Sequence, residues 1–257
     1  MKNSKIIKPK KTKPFFSIIT VVKNDEINVG KTIKSVVGQS LKDFEYIIID
    51  GKSSDNTLKK IMIFKKKINF LISEKDKGIY FAMNKGAKIS NGKVILFVNS
   101  GDLLTKNALK IIKKKFIKNM NIGFIFGTVK RYYTTGPIYK YGINEKRLLY
   151  NFDFATSHST GFFIKKNIFK RMGYFNTKFK ISADYDLFFK LIIKNKIKGI
   201  STKKNELIGV MKSGGYSSKI SFINHLKEEI KIRYHNGQNL FFLSLIFFNS
   251  IIKNLFK

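Results

Sequence analysis

Three carboxylates stand where the chain changes abruptly from apolar to polar. Asp50 ends the run FEYIIID, Asp102 closes the stretch VILFVNSGD, and Asp184 lies in ISADYDLFFKL, at the opening of a helix-forming segment. A carboxylate so placed can do one of three things. It caps a helix or ties a turn. It takes a proton from a reacting hydroxyl as a general base. Or it holds a hard divalent cation through oxygen. The chain has no cysteine and three histidines, which excludes disulfides and thiolate metal sites and leaves oxygen as the favoured metal ligand. Asn99, Ser100 and Gly101 are turn residues, so that stretch alone points first to a turn, with Asp102 capping the helix that follows.

The hydrophobic pattern names the elements that must hold these groups. Phe15–Val22, Phe44–Asp50, Asn69–Ser73 and Val94–Val98 are near-continuous apolar runs, as expected of strands covered on both faces. Helical segments separate them. One is capped by Asn24 or Asp25 and turns Ile27, Ile33, Val36 and Val37 inward until Gly38; a second is TLKKIMIFKKK, capped by Ser54 or Asp55; a third runs from Gly78 to Ser90 through Ile79, Ala82, Met83, Gly86 and Ile89. Strands alternating with helices predict an α/β fold with a mostly parallel sheet, and such sheets bind ligands beyond the carboxyl ends of their strands. Polar groups gather at three of those ends: Asn24 with Asp25, Asp50 with Gly51, and Asn99 with Asp102. That recurrence weakens the plain-turn reading.

The second half is less regular. Strands are expected in IGFIFGTVKRYYTT and GPIYKYG, strand then helix in STGFFIKKNIFKRMG, and helices in ISADYDLFFKLIIKN and FINHLKEEIKIRYHNGQ. Residues 1–14 form a flexible basic arm, residues 15–215 a single domain, and residues 216–257 a C-terminal helical segment.

The 257 residues carry 51 Lys and Arg against 16 Asp and Glu, a net charge of +35. Such a charge suits a polyanionic partner, either nucleic acid or an anionic membrane face. Abundant Lys, Ile, Asn and Phe without Trp also fit an AT-rich coding sequence. The lysines are spread along the whole chain, which argues against specific nucleic-acid binding. No signal peptide is evident, and no apolar run reaches the ~18 residues of a spanning helix. The nearest, Leu240–Ile252, is broken by Ser244, Asn249 and Ser250. The expected location is cytoplasmic, with the apolar tail from Phe241 to Phe256 attaching the protein to the inner membrane face or packing as an ordinary helix. Two phosphate-loop look-alikes fail: GKT at Gly30 has Asp25 and GKSS at Gly51 has Tyr46 where the leading glycine is needed. No G-x-G-x-x-G follows a strand, so a dinucleotide fold is not indicated.

The ordered set FSIITVVKN, EYIIIDGKSSDNT, ISEKDKGIYFAMNKGA, LFVNSGD, HSTGFFI and ISADYDLFFKL closely resembles the inverting family 2 glycosyltransferases of bacterial polysaccharide assembly. The enzymes of colanic-acid and capsule biosynthesis are the nearest in pattern, over Phe15 to Met211. The resemblance implies a GT-A fold, a Rossmann-like and mostly parallel central sheet flanked by helices. It also implies a nucleotide-sugar donor, UDP-linked, and Mg²⁺ or Mn²⁺ as cofactor.

Carried over residue by residue, the resemblance makes Asp102 the metal ligand, with Asn99, Ser100 and Gly101 beside it. Thr20, Val22 and Asn24 would cradle base and ribose. Asp50 would accept hydrogen bonds from the base, with Gly51, Ser53 and Asp55 in the same loop. Asp76, Lys77, Gly78, Asn84 and Gly86 would lie along the ribose and diphosphate. Asp184 would be the base, and His158 and Asp186 would lie towards the acceptor. The chain departs from the family pattern at four positions. Lys52 stands where relatives have glycine, Phe81 and Gly101 where many have an acid, and Ala183 where they have glutamate.

The chemistry agrees with the resemblance. A departing nucleoside diphosphate concentrates negative charge that a cation on carboxylate oxygen offsets, and inversion needs one carboxylate to take the acceptor's proton. Asp184 and Asp186 also suit a plain first-turn role, favoured by the helix dipole. The processive-synthase signature needs a Trp, which the chain lacks, so one sugar per encounter is expected. The acceptor implied is a hydroxyl of a surface polysaccharide or lipid-linked glycan. Two rival functions remain. One is a nucleotide-sugar-binding protein without catalysis, in keeping with Phe81, Gly101 and Ala183. The other is a basic nucleic-acid-binding protein using the +35 charge.

Overall fold

A computed structural model describes residues 5–7, 13–133, 135–150, 159–211 and 220–255. Four strands form the centre of the main sheet: β2 (Phe16–Val22), β3 (Phe44–Asp50), β4 (Phe70–Ser73) and β5 (Val94–Phe97). All their mutual pairings are parallel, β2 with β3 and β5, and β3 with β4. The chain lays β3 and β4 to one side of β2 and returns to place β5 on the other. The strand order therefore reverses at β2, the place where an open α/β sheet leaves a crevice beyond its carboxyl ends.

Among the described residues the sheet has eight strands, beginning at the edge with β1 (Lys5–Ile7), in the order β1-β4-β3-β2-β5-β10-β7-β11. β10 (Phe162–Lys165) runs antiparallel between β5 and β7 (Phe124–Phe126), and β11 (Gly199–Ser201) pairs parallel to β7. A second sheet of four strands orders β6 (Leu103–Leu104), β12 (Leu207–Met211), β8 (Thr128–Tyr133) and β9 (Gly136–Lys140). Period-two alternation explains the continuous apolar runs. Ile19, Val21, Ile47 and Ile49 pack on one face of the main sheet, beneath α3 (Ile79–Ile89) and α6 (Ala183–Phe188). Phe16, Ile18, Tyr46 and Ile48 pack on the other, beneath α1 (Val29–Val37) and α4 (Ala108–Lys118). Both faces are buried, so a polar residue within these strands needs a partner in the core, as Thr20 finds in the Tyr46 hydroxyl.

Several elements differ from expectation. The helix expected through Lys67 is α-helical only over α2 (Thr57–Met62), followed by a 3₁₀ turn at Lys65–Lys67. Lys5–Ile7, within the expected flexible arm, forms β1, an edge strand antiparallel to β4. β11 and β12 lie outside the strands that the hydrophobic pattern predicts. α1 begins at Val29 with Asn28 as its N-cap residue, so neither Asn24 nor Asp25 caps it. A short helix, α5 (Lys166–Arg171), follows β10 directly, as expected of strand then helix.

The expected boundary at 215–216 lies outside the described residues, but α7 (Phe222–His235) beyond it is fastened to the domain. Ile232 joins the core layer, and the fully buried Arg233 donates hydrogen bonds to the carbonyls of Leu148 and Leu149 and pairs with Glu229 at 2.7 Å. Gly237 turns the chain at φ +85° into α8 (Leu240–Leu255), which lies on α7 with Leu243 and Ile246 buried.

Candidate active site

The crevice at β2 is knitted from loops that follow the strands. Asn24 turns out of β2 in a left-handed conformation, φ +51°. Its side-chain oxygen accepts the Ser54 N–H at 2.8 Å, and its own N–H goes to the Ser53 hydroxyl, also at 2.8 Å. Asp55 accepts the N–H groups of Glu26 and Thr57, and hydrogen bonding by Thr57 holds its pKa below the usual value. Asp50, fully buried, accepts from the N–H and hydroxyl of Ser53 and from the Ser73 hydroxyl at 2.6 Å. The expected base-recognition carboxylate is therefore engaged by its own loop and by the end of β4.

Beside this frame lies a cleft of about 450 Å³. Val22, Lys23 and Gly51 form one wall, Asp76 through Ala82 a second, and Thr177, Phe179 and Lys180 a third. Three lysines and the first turn of α3, which has no side-chain cap, face an otherwise largely apolar space. Uncapped N–H groups and ammonium groups together favour an anionic ligand. Asp76 pairs with Lys85 at 2.5 Å, while its second oxygen is buried without a hydrogen-bond partner among the described residues.

Asp102 sits in a turn closed by its N–H on the Asn99 carbonyl at 3.0 Å, with Gly101 at φ +97° making the turn possible. The carboxylate is 7% exposed and accepts the Thr160 hydroxyl at 2.6 Å, and the adjacent Ser159 accepts from the Asn99 amide at 3.0 Å. Burial pushes the Asp102 pKa up to about 7, opposed by the Thr160 hydrogen bond and the charge of Arg131. It caps no helix: β6 follows at once, and α4 starts only at Ala108. Thr32 on α1 clamps the turn, donating to the Asp102 carbonyl and accepting from the Gly101 N–H, each at 2.9 Å. The Ser100 hydroxyl donates to Asp25 at 2.6 Å, tying the same turn to the loop after β2.

Asp184 is half-buried in the first turn of α6. The Tyr80 hydroxyl lies 3.2 Å from its Oδ1 and 2.9 Å from the Ile181 carbonyl. Burial raises the Asp184 pKa to about 7 against the hydrogen bonds from Tyr80 and the Tyr185 N–H. Burial and the neighbouring Asp184 hold the Tyr80 pKa well above its ordinary value, so Tyr80 remains a donor. Tyr80 also lines the cleft, and it is the physical link between cleft and carboxylate. The sequence offered only its place in the helical motif as a signal. Lys23 and Thr160 lie within FSIITVVKN and HSTGFFI, which give them no role, and Thr177 and Lys180 come from a segment without chemical pattern.

Other expected residues do structural work. Thr20 hydrogen-bonds the buried Tyr46 hydroxyl at 2.9 Å, behind the crevice. Asn84 spends both ends of its amide on the Phe175 backbone, at 2.8 and 3.0 Å. Gly86 lets α3 approach the sheet, since a Cβ there would meet Ile19 Cγ2 at 2.6 Å. Asp186 points away, accepting from Asn236 at 2.9 Å and pairing with Lys190 at 2.7 Å. His158 lies outside the described residues. Among the described residues no group of three or more His, Cys, Asp or Glu side chains is placed to hold a metal.

Comparison with known proteins agrees with this architecture. The S. aureus protein TarS, residues 1–349 in complex with UDP-GlcNAc, superposes with a TM-score of 0.70 at 17% identity, over 91% of this chain and 72% of that one. The mannosyltransferase PcManGT of Pyrobaculum calidifontis, in complex with GDP-Man and Mn²⁺, gives 0.65 at 13% identity, over 96% and 72%. Both place this chain in the GT-A fold. A curated Escherichia coli relative, the UDP-Glc:alpha-D-GlcNAc-diphosphoundecaprenol beta-1,3-glucosyltransferase WfgD, is 31% identical over 52% of this chain. The match spans 53% of that relative, about half its length. The family model described as glycosyl transferase family 2 matches residues 17–182, well over half of the 257 residues. The chain belongs to glycosyl transferase family 2.

Proposed function

We propose that the protein is an inverting glycosyltransferase that moves one sugar from a UDP-linked donor to a hydroxyl of a surface polysaccharide or lipid-linked glycan. The observation that carries this reading is the cationic cleft at the β2 crevice, joined through Tyr80 to a carboxylate whose pKa is raised to about 7. A base poised near neutrality is ionised often enough to act and basic enough to accept a proton. Asp184 takes the acceptor's proton as the acceptor oxygen bonds to the anomeric carbon. The bond from that carbon to the diphosphate breaks, and its electron pair leaves with the nucleoside diphosphate. Lys23, Lys77, Lys180 and the first turn of α3 attract that diphosphate. The relatives and neighbours named above carry UDP-Glc, UDP-GlcNAc or GDP-Man in their descriptions, which share this group.

Asp102 and the Oδ1 of Asn99, which is buried without a hydrogen-bond partner among the described residues, would hold Mg²⁺ or Mn²⁺ through oxygen, the ligand type these hard cations favour. Such a cation, when bound, offsets charge on the departing diphosphate. Nucleotide release from UDP-, GDP- and dTDP-sugars with Mn²⁺, alongside calorimetric binding, tests the proposal. Slow release from one UDP-sugar, accelerated by a glycan acceptor, is expected. Failure to bind any donor overturns it. Binding without release under every acceptor tried gives the protein a binding role only.

The outer surface of α7 and α8 supports peripheral contact with an anionic membrane. Phe241, Leu245, Phe248 and Ile252 form an exposed apolar stripe along α8, at helical spacing. Lys227 and Lys231 on α7 and Lys253 on α8 are exposed, while Glu228 and Glu229 are turned inward to protein partners. No helix among the described residues is long and apolar enough to cross a membrane. Each exposed lysine near an anionic surface contributes about 1 kcal/mol. The protein is expected to float with phosphatidylglycerol vesicles at low salt, and Phe241→Ser with Phe248→Ser to release it. Absence of binding at low salt removes the membrane from the reading.

A further inference from the structure

The family match ends at residue 182, and a helix beyond it binds the backbone that leads into Asp184. Its preceding residue, Ala183, is fully buried and offers no polar side chain. Glu228, on α7, accepts three consecutive backbone N–H groups instead: Lys180 at 3.0 Å, and Ile181 and Ser182 at 2.7 Å each. These are the residues that lead into the first turn of α6, two of them directly before Ala183–Asp184. Lys180 also lines the cleft, so the anchored segment runs from the donor wall to the carboxylate.

We infer that Glu228 is a positioning residue for Asp184, fixing the 180–182 backbone so that Asp184 and the cleft keep one geometry. The inference rests on the reading of Asp184 as the base. A carboxylate suits this role better than an amide, because an ionised carboxylate is acceptor-only and can satisfy several converging N–H groups. Hydrogen bonds to a charged acceptor are also the stronger kind. Among the described residues, Tyr80 from α3 and the Tyr185 N–H hydrogen-bond Asp184, and the charge of Glu228 on α7 acts on it. Of these only Glu228 brings a negative charge, and that charge disfavours ionisation of Asp184. Glu228 therefore acts in two ways, by holding the turn and by raising the base's affinity for a proton.

The two actions separate by mutation. Glu228→Gln removes the charge and keeps one acceptor oxygen. Glu228→Asp keeps the charge and withdraws it by one methylene. The pH dependence of kcat, donor affinity and thermal melting are measured for both, with Asp184→Asn alongside. Glu228→Gln is expected to move the acidic limb of the profile to lower pH. Glu228→Asp is expected to leave that limb in place and lower kcat about tenfold with donor affinity unchanged. An unmoved limb in Glu228→Gln together with wild-type kcat in Glu228→Asp overturns the role of Glu228 while leaving Asp184 as base. Wild-type turnover in Asp184→Asn overturns the base reading itself. Should Glu228→Gln fail to fold, Glu228→Asp decides: unchanged kcat refutes the positioning role.

Discussion

Asp184→Asn is expected to lower sugar transfer by at least about a hundredfold while donor binding persists, since a positioned general base contributes a factor of that order or more. Asparagine keeps the shape and can still accept from Tyr80, so the loss isolates the proton-accepting function. In the wild type the rate should rise with pH through about 7, where Asp184 ionises. The variant should show no such limb. Stability should move the other way. Below the unfolded carboxylate pKa of about 4, folded and unfolded chains both hold the proton, and Asp184 contributes nothing. Between about 4 and 7 the unfolded chain ionises while the folded one keeps its proton, so stability falls as pH rises. Above about 7 the deficit is constant, on the order of a few kcal/mol. Asp184→Asn removes it, and should resist urea better than wild type at pH 8 but not near pH 4. Equal urea midpoints at pH 8, or full transfer activity, would show that this carboxylate is neither strained by burial nor used as the base.

Asp102→Asn should abolish the binding of Mn²⁺ in the presence of UDP and reduce nucleotide release about a hundredfold or more. The variant keeps an oxygen for the Thr160 hydroxyl, so the turn from Asn99 to Asp102 should survive. Calorimetry with Mn²⁺ and UDP separates a cation site from a structural one. Unchanged Mn²⁺ uptake with UDP would mean that Asp102 is only the anchor for Thr160, and that Gly101 marks a site with no cation requirement. Thermal melts at pH 8 control for folding. Because burial already disfavours the Asp102 charge, the neutral variant should be no less stable there.

The main sheet was legible because its strands are buried on both faces. Continuous apolar runs such as YIII and VILFV can be little else once helices with caps and stops separate them. The carboxyl-end clusters were legible for the same reason, as places where several polar residues follow an apolar run. What the sequence hid depends on distant contacts. Thr160 reaches Asp102 from 58 positions away, and Glu228 reaches Ser182 from 46. A motif also mixes tasks that only packing separates. In GIYFAMNKGA, Tyr80 faces Asp184, Asn84 pins Phe175, and Gly86 seats the helix on Ile19. Thr20 and Val21 are adjacent on β2, but alternation sends Thr20 to the Tyr46 face and Val21 to the opposite one. Charge was the least informative signal, because lysines spread over a whole surface mark no particular face.

α7 carries Glu228 and Ile232 on its inner side and Lys227 and Lys231 on its outer side. If the membrane contact and the role of Glu228 proposed above both hold, address and chemistry share one 14-residue helix. Exchanging C-terminal segments between relatives, in order to send an enzyme to another surface, would also exchange the brace behind its base. A chimera would need the inner side of α7 grafted back before it worked at its new location, so lineages that trade such segments whole must inherit destination and turnover together.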